Sequence, residues 1–392
     1  MIAYWVSAAV LLLLLRQLAA LHFGLRRLQQ LADVGTPADD ELPSLAVIVS
    51  ALDEVATIEP ALRSLLALDY PRLEVIAIDD RSTDGTGIVL DRLAREDRRL
   101  RVLHVRELPS GWLGKVHALH LGARAADADW LLFTDADVHF APDALRRAVG
   151  HCRQERLDHL AVLPELHVRQ SLLAALLLLA QALFYATLPP WKLATSPRVY
   201  VGLGAFNLVR ADTYRRAGGH DALRLEVLDD LVLGRRLKAF GGARQGLLLG
   251  RGAVSLEWYA DARAFMHGLE KNSFAAARYS VAQALAGSLG LFLVGVWPVV
   301  GVLATRGPTW WLALAGVVTG LLLQVEVLRT TDWPKRALWW WPVTPLLMLG
   351  VLWRAVLLTL RRGGVLWRGT LYPLPALRAA QRGARDAGPS GR

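Results

Sequence analysis

The sequence predicts an α/β domain with a mostly parallel sheet, combined with hydrophobic helices at both ends of the chain. Two observations predict the sheet. Short β-branched runs alternate with segments of helical spacing between residues 44 and 260, and acidic clusters follow three of those runs. The terminal helices are predicted by apolar stretches close to the roughly 20 residues that a membrane-spanning helix needs.

The composition favours a membrane-associated protein. The chain has 392 residues, of which 54% are hydrophobic, it contains 14 tryptophans, and its formal net charge is +10. Its mean hydropathy is +0.31, which is high for an ordinary soluble enzyme. A basic, apolar, tryptophan-rich chain fits a membrane surface better than nucleic acid, because basic and aromatic residues do not interleave and no zinc-ligand spacing is present. The single cysteine, Cys152, excludes an internal disulfide and a multi-cysteine metal site.

Residues 1–28 are predicted to be an uncleaved N-terminal membrane anchor. The apolar run at 3–15 is followed by Arg16, Arg26 and Arg27, whereas a cleaved signal peptide carries its positive charges first. Charges after the span place the following loop in the cytoplasm. A buried amphipathic helix is the alternative interpretation of this segment.

The C-terminal third is also predicted to be associated with the membrane. Residues 261–360 contain interfacial and transmembrane helices, with candidate spans at 283–304, 309–328 and 337–360, and residues 361–392 form a basic tail. Three simple spans would place this arginine-rich tail outside the cell, against the positive-inside rule, so the number of spans and the side of the tail stay open. The apolar segment 171–190 lies inside the globular region and is predicted to be an interfacial helix.

Between residues 44 and 260 the predicted strands and helices alternate. The strands are 44–50, 73–78, 101–105 and 130–134, and the helices between them are 61–68, 86–93 and 114–126. Ligands of such sheets bind beyond the carboxyl ends of the strands. Acidic residues follow three of the strands, which predicts one shared site: Asp53 and Glu54, Asp79 and Asp80, and Asp135 and Asp137. A dinucleotide is not the expected ligand, because no G-x-G-x-x-G follows the first strand.

Residues beyond these acids indicate a diphosphate ligand and a divalent metal. Lys115 lies near a predicted helix N-terminus, where it opposes the helix dipole unless an anion binds there. Asp135 and Asp137 are like charges near one point, and Mg²⁺ or Mn²⁺ would balance them and also bind phosphate oxygens. Asp229 and Asp230 begin an amphipathic helix. They are either simple partners of the helix dipole or include a general base.

The motifs, in order, resemble glycosyltransferase family 2. They read VIVSALDE, IDDRSTDGT, GWLGK, TDADV, GGH and LDDLVLGRRL and cover about residues 44–260. The stretches 268–274 and 367–372 are similar to membrane members that glycosylate lipids, such as hopanoid-associated, carotenoid and ceramide glycosyltransferases. The Q/R-x-x-R-W motif of processive and ceramide-type members is absent, which argues against polymer synthesis and leaves the acceptor open.

The resemblance implies a GT-A fold, a nucleotide-diphosphate sugar as donor, expected to be a UDP-sugar, and Mg²⁺ or Mn²⁺ as cofactor. It implies that Asp80 contacts the base, Asp53 lies near the nucleotide, and Lys115 lies near the diphosphate. Asp135 and Asp137 would be the D-x-D pair on the metal. Asp230, with Asp229 beside it where the family usually has Glu, would be the base of an inverting transfer. Looser roles at the site fall to residues in the C-terminal third: Glu270, Lys271 and Arg368.

These implications predict an inverting transfer of a sugar to a lipid acceptor at the cytoplasmic face of the cell (inner) membrane. A polyisoprenyl phosphate acceptor is the second hypothesis within enzymes. A catalytically inactive membrane scaffold is a hypothesis from another class, and loss of Asp135, Asp137 or Asp230 would indicate it, but all three are present.

Overall fold

The computed structural model describes residues 1–386 and contains two compact units. The sheet unit comprises residues 28–166, 190–258 and the C-terminal residues from 379; the helical unit comprises residues 1–27, 167–189 and 259–378. The strands in chain order are β1 Leu45–Ala51, β2 Leu73–Asp80, β3 Leu100–Val105, β4 Trp130–Asp135, β5 His139–Phe140, β6 His159–Leu163, β7 Glu165–Leu166, β8 Asn207–Arg210, β9 Gln245–Leu249, β10 Val254–Leu256, β11 Gly364–Trp367 and β12 Thr370–Pro373.

The α-helices follow in chain order. They are α1 Ile2–Leu25, α2 Ile58–Leu66, α3 Thr86–Glu96, α4 Gly114–Ala125, α5 Ala144–Gln154, α6 Ser171–Thr187, α7 Ala211–Arg216, α8 Asp229–Ala239, α9 Ala262–Gly268, α10 Glu270–Ala276, α11 Val281–Leu291, α12 Trp297–Ala304, α13 Gly307–Leu328, α14 Thr344–Arg362 and α15 Leu374–Asp386. A π-helical turn, Phe292–Val296, joins α11 to α12.

The sheet unit is built on a seven-stranded sheet with the order β3-β2-β1-β4-β8-β6-β9. Only β8 runs antiparallel to its neighbours, β4 and β6. The central strands are continuous apolar runs because both faces of the sheet are covered: Leu45 to Val49 of β1 are all buried. The predicted mostly parallel sheet is therefore confirmed, and each predicted strand and helix between residues 44 and 134 is present, with ends shifted by up to three residues.

The helical unit contains five helices that are long and apolar enough to cross a membrane, judged by length and composition. They are 2–25, 171–192, 281–304, 307–328 and 344–362. The helix at 171–192 is one more such helix than the sequence predicts. Apolar residues lie on all sides of α6, which packs on α13 and α14 within this unit, in keeping with a helix that has no polar face.

The structure refines two predictions for the C-terminal third. The candidate span predicted at 337–360 corresponds to an apolar helix at 344–362, because residues 335–340 form a 3-10 helix and α14 begins only at Thr344, next to Pro345. Within the predicted basic tail, β11 and β12 form an antiparallel hairpin, and α15 follows it. Residues 387–392, the remainder of the predicted tail, lie outside the described residues.

Candidate functional site

Three parallel strands of the sheet unit end at one edge, and each is followed by predicted site residues. In the register, Ala51 of β1 lies beside Asp79 of β2, and Ser50 lies beside Asp135 of β4. Because parallel strands end together, the acids that follow β1, β2 and β4 share this edge. The antiparallel strand β8 begins at the same edge, so the glycine-containing segment that precedes it also lies there.

Asp79 and Asp80 point to opposite faces of the sheet, as consecutive strand residues must. Asp79 faces α3: it accepts a hydrogen bond from Ser82 N at 3.1 Å, and its Oδ2 lies 3.0 Å from His104 Nδ1. Asp80 is 2% exposed and faces α4, where a Cβ on Gly114 would lie 2.3 Å from its Oδ2. Arg81 has a left-handed φ of 65° and donates Nε to Asp80 Oδ1 at 2.8 Å. Asp79 is therefore bonded to Ser82 and His104 within the sheet unit, whereas Asp80 lies at the start of α4.

The turn after β1 is hydrogen-bonded to the turn after β2. Asp53 has a φ of 55°, and its Oδ1 accepts from Thr83 N at 2.8 Å. Glu54 donates its backbone N–H to Thr86 Oγ1 at 2.9 Å. Asp84 Oδ2 accepts from Val55 N at 3.0 Å. Asp53 and Asp84 thus hold both turns in place at the edge of the sheet.

Lys115 and Asp135 form the ion pair at the centre of the site. Lys115 Nζ, from the first turn of α4, lies 2.6 Å from Asp135 Oδ1 at the end of β4. Burial acts to lower the pKa of Lys115, but Asp135, Asp229 and Asp230 together outweigh it and raise that pKa. These interactions bring three predicted groups, namely the lysine, the D-x-D pair and the α8 acids, to one place.

Nearby positive charge and hydrogen bonds do not offset the cost of burying the Asp137 carboxylate. Desolvation and the neighbouring Asp135 raise its pKa from 3.8 to about 6. A divalent cation between the two carboxylates would reverse both effects, since it favours the charged form of each. Oxygen donors of this kind suit Mg²⁺ or Mn²⁺, which also bind phosphate oxygens. Within residues 1–386, no group of three or more His, Cys, Asp or Glu residues suited to a metal is preassembled.

The N-terminus of α8 carries Asp229 and Asp230. Asp229 is 5% exposed, and Asp230 Oδ1 accepts from Leu231 N at 2.7 Å. Desolvation, followed by the charge of Asp229, raises the pKa of Asp230. The helix approaches the sheet edge through backbone contact, because a Cβ on Gly202 would lie 1.9 Å from the Asp230 carbonyl oxygen. Two residues later, a Cβ on Gly204 would lie 2.7 Å from Asp135 Oδ2.

Three residues with looser predicted roles belong to the helical unit. Glu270 pairs with Arg354, and Lys271 Nζ lies 4.0 Å from the centroid of the Trp367 ring. Arg368 has a left-handed φ of 47° in the turn between β11 and β12. Their proposed roles stay predictions.

Sequence reasoning missed residues that shape the sheet-unit site. Arg81 lies inside the motif IDDRSTDGT but received no role, although a basic residue next to a predicted base-binding acid was a visible signal, and Gly204 lies outside the quoted motifs. His104 was missed because it lies on β3, outside every motif. Its Nε2 also lies 2.9 Å from Asp91 Oδ1, and Asp91 and Asp79 raise its pKa.

Comparison with known proteins finds a family model and relatives that match part of the chain. Residues 46–172 match the family model described as Glycosyl transferase family 2. Beta-monoglucosyldiacylglycerol synthase of Synechocystis sp. is 36% identical over 111 residues, which are 28% of this chain and 23% of that protein. Succinoglycan biosynthesis protein ExoO of Rhizobium meliloti is 32% identical over 113 residues, 29% of this chain and 31% of that protein. The matched stretch therefore spans under a third of either relative.

A solved structure extends the likeness in fold. The mannosyltransferase PcManGT from Pyrobaculum calidifontis, in complex with GDP-Man and Mn²⁺, superposes with a TM-score of 0.58. The superposition covers 91% of this chain and 98% of that one at 18% sequence identity. At this identity the likeness shows the fold alone, and it confirms the predicted GT-A class.

Proposed function

We propose that this chain, whose residues 46–172 match the Glycosyl transferase family 2 model, transfers a sugar from a nucleotide-diphosphate sugar to a lipid acceptor at a membrane. The proposed transfer inverts the configuration at the sugar carbon. The observation that carries this proposal is the Lys115–Asp135 ion pair at the sheet edge, which Asp229 and Asp230 also influence electrostatically.

Each group at this edge has a proposed role in donor binding. Lys115 would bind the diphosphate, and Asp80, with Asp53 and Glu54 on the neighbouring turn, would line the nucleoside pocket. Asp79 would act through the turn that it holds. Asp135 and Asp137 would hold Mg²⁺ or Mn²⁺, which supplies positive charge to the leaving diphosphate when it is bound.

Asp230 is the proposed general base, and Asp229 is its neighbour. A carboxylate with a raised pKa is a better proton acceptor at neutral pH than an ordinary aspartate. The base would take the proton of the acceptor hydroxyl as that oxygen attacks the sugar carbon from the side opposite the diphosphate. A direct displacement of this kind needs one base and no covalent nucleophile, in agreement with the groups at the site.

A lipid acceptor is supported by the helical unit and by one relative. Five helices are long and apolar enough to cross a membrane. The Synechocystis relative is named as a synthase of monoglucosyldiacylglycerol. Because nucleotide sugars are made in the cytoplasm, we propose that the sheet unit faces that side of the cell membrane.

The first test measures nucleotide binding by the full chain in detergent. UDP and GDP are titrated with Mn²⁺, with Mg²⁺ and with EDTA, and we expect metal-dependent binding of one of them, with UDP the first candidate. Binding of neither nucleotide with either metal would contradict the proposal and favour an inactive scaffold. Equal binding in EDTA would contradict the metal role.

The second test replaces the proposed base. Asp230→Asn should keep nucleotide binding and lose transfer of labelled sugar into an organic-soluble product. Asp212→Asn, an acid paired with Arg216 on α7, is the matched control and should keep transfer. Turnover of Asp230→Asn at the wild-type rate would exclude it as the base. A labelled lipid whose sugar is released by mild acid would indicate a polyisoprenyl phosphate acceptor.

A further inference from the structure

The side chain of Gln245 joins two segments that carry site residues. Gln245 is the first residue of β9 and is 4% exposed. Its Nε2 donates to the carbonyl oxygen of Gly234 in α8 at 2.7 Å, and its Oε1 accepts from Val201 N at 3.4 Å. One amide group therefore bonds both the helix that begins with Asp229 and Asp230 and the segment that leads to Gly204.

These two segments touch where Gln245 bonds them. A Cβ on Gly234 would lie 1.7 Å from the Val201 carbonyl oxygen, and a Cβ on Gly202 would lie 1.9 Å from the Asp230 carbonyl oxygen. The two backbones are thus packed directly on each other without intervening side chains. Gly204, two residues further, packs against the Asp135 carboxylate. The segment 201–204 therefore contacts both the Asp230 backbone and the Asp135 carboxylate.

A buried histidine fixes the orientation of the Gln245 amide. Gln245 Nε2 lies 3.0 Å from His159 Nδ1, and His159 Nε2 bonds Asn207 Oδ1. His159 is fully buried, and this burial lowers its pKa to about 4, so the ring is neutral at physiological pH. With its proton on Nε2, the ring donates to Asn207 and accepts from Gln245. Both ring nitrogens of His159 and both polar atoms of the Gln245 amide then have a defined donor or acceptor role.

We infer that Gln245 is a positioning residue for the transfer reaction: it fixes Asp230 relative to Asp135 by bonding α8 and the segment 201–204 at their contact. This inference rests on the proposed function. Loss of the amide leaves Gly234 O and Val201 N without their side-chain partner, and α8 can then shift along the glycine contact. A displacement of about 1 Å at a reacting group lowers turnover by roughly 100-fold.

The test is Gln245→Met, which keeps an unbranched side chain of similar size and removes both hydrogen-bonding atoms. We expect kcat to fall about 10- to 100-fold. The Kd for the nucleotide should stay within about twofold of wild type, because the hydrogen bonds of Gln245 go to Val201, Gly234 and His159 and not to the donor-binding side chains on β1, β2, β4 and α4. A purely structural role would instead lower the amount of folded protein and leave the kcat of the folded fraction unchanged.

Arg146→Met provides the matched control. Arg146 lies on α5 and is 8% exposed, and its Nε donates to the Asp69 carbonyl oxygen at 2.7 Å. Its loss therefore also removes hydrogen bonds of a buried side chain, but none that involve α8. This variant should lose thermal stability and keep kcat. If Gln245→Met does not fold, Gln245→Glu is tested in its place: it keeps an acceptor for Val201 N, lacks the N–H donor to Gly234 O and should lower kcat in the same direction.

The outcomes separate this inference from the proposed function. Failure of the wild-type protein to bind any nucleotide diphosphate or to transfer sugar would contradict the proposed function itself. An active wild type with an unchanged kcat in the folded Gln245 variant would overturn the positioning role alone. An equal fall in kcat for Arg146→Met and Gln245→Met would also overturn it, since the effect would then follow lost stability.

Discussion

Replacing Asp137 with asparagine should stabilise the metal-free protein while it removes metal binding. Burial and Asp135 raise the pKa of Asp137 from 3.8 to about 6, a shift of roughly two units. Each unit corresponds to about 1.4 kcal/mol, so the ionised carboxylate costs the folded state up to about 3 kcal/mol above pH 6. Asparagine has nearly the same shape and no charge, so Asp137→Asn should recover on the order of 1–3 kcal/mol.

The sign of this effect gives a pH dependence. A carboxyl group with a raised pKa in the folded state binds more protons when folded, so the native protein loses stability as the pH rises from about 4 to about 6. The advantage of Asp137→Asn should therefore be largest above pH 6 and should disappear near pH 4. In thermal melts of the full chain in detergent with EDTA, about 1 kcal/mol corresponds to roughly 2–4 °C for a domain of this size.

Metal and nucleotide should reverse the order of stabilities. Ligands that bind only the folded state raise its stability by mass action, so Mn²⁺ with nucleotide should raise the melting temperature of the wild type and leave Asp137→Asn unchanged. Asp40→Asn, at an exposed acid, is the control and should follow the wild type in both buffers. A variant that melts at or below the wild-type temperature in EDTA at about pH 7.5 would refute the desolvation argument. Equal stabilisation of both proteins by metal would refute the metal role.

Two further substitutions test the geometry of the site. Lys115→Met removes the cation paired with Asp135 and should weaken nucleotide diphosphate binding by about 10- to 100-fold in titrations. Arg124→Met, at an exposed position of the same helix, is the control and should not weaken it. Equal affinities of the two variants would contradict the phosphate role of Lys115. Gly202→Ala places a methyl group against the Asp230 carbonyl and should lower turnover and cost about 1–3 kcal/mol of stability. The methyl group of Gly35→Ala meets no atom within 4 Å, so this control should be neutral. A fully active Gly202→Ala would show that the backbone contact adjusts without moving the proposed base.

The sheet and its acidic edge could be predicted because both depend on local patterns. The run 73–78, LEVIAI, is apolar apart from Glu74 and contains three β-branched residues, which is typical of a strand covered on both faces. Parallel strands then bring their carboxyl ends together, so the acids after β1, β2 and β4 had to meet. The alternation of side chains along β2 was equally predictable, and it separates Asp79 from Asp80, which the motif alone treats as one pair.

The details of the C-terminal third depend on local features that a hydropathy average hides. Pro342 and Pro345 lie inside an apolar stretch, and proline is accommodated in the first turn of a helix but not in its middle, so α14 begins at Thr344. The arginines of residues 361–386 predict a basic tail. The same segment contains Leu374 and Leu377 three residues apart, which are 6% and 0% exposed in the structure. The helical spacing of these two leucines indicates α15, and the net charge of the segment made this pattern less visible.

What no local pattern reveals is how the proposed base is held. Asp230 is visible in the sequence as an acid near a helix start, but its relation to Asp135 depends on Gly202 and Gly234, which are 32 residues apart, and on Gln245. Each of the three has an ordinary interpretation alone: a turn glycine, a tolerated helix glycine and a strand residue. Only the backbone contact between α8 and the segment 201–204 gives them a common role. Because that contact leaves no space for a Cβ, the spacing of the acids is set by residues that carry no chemistry of their own.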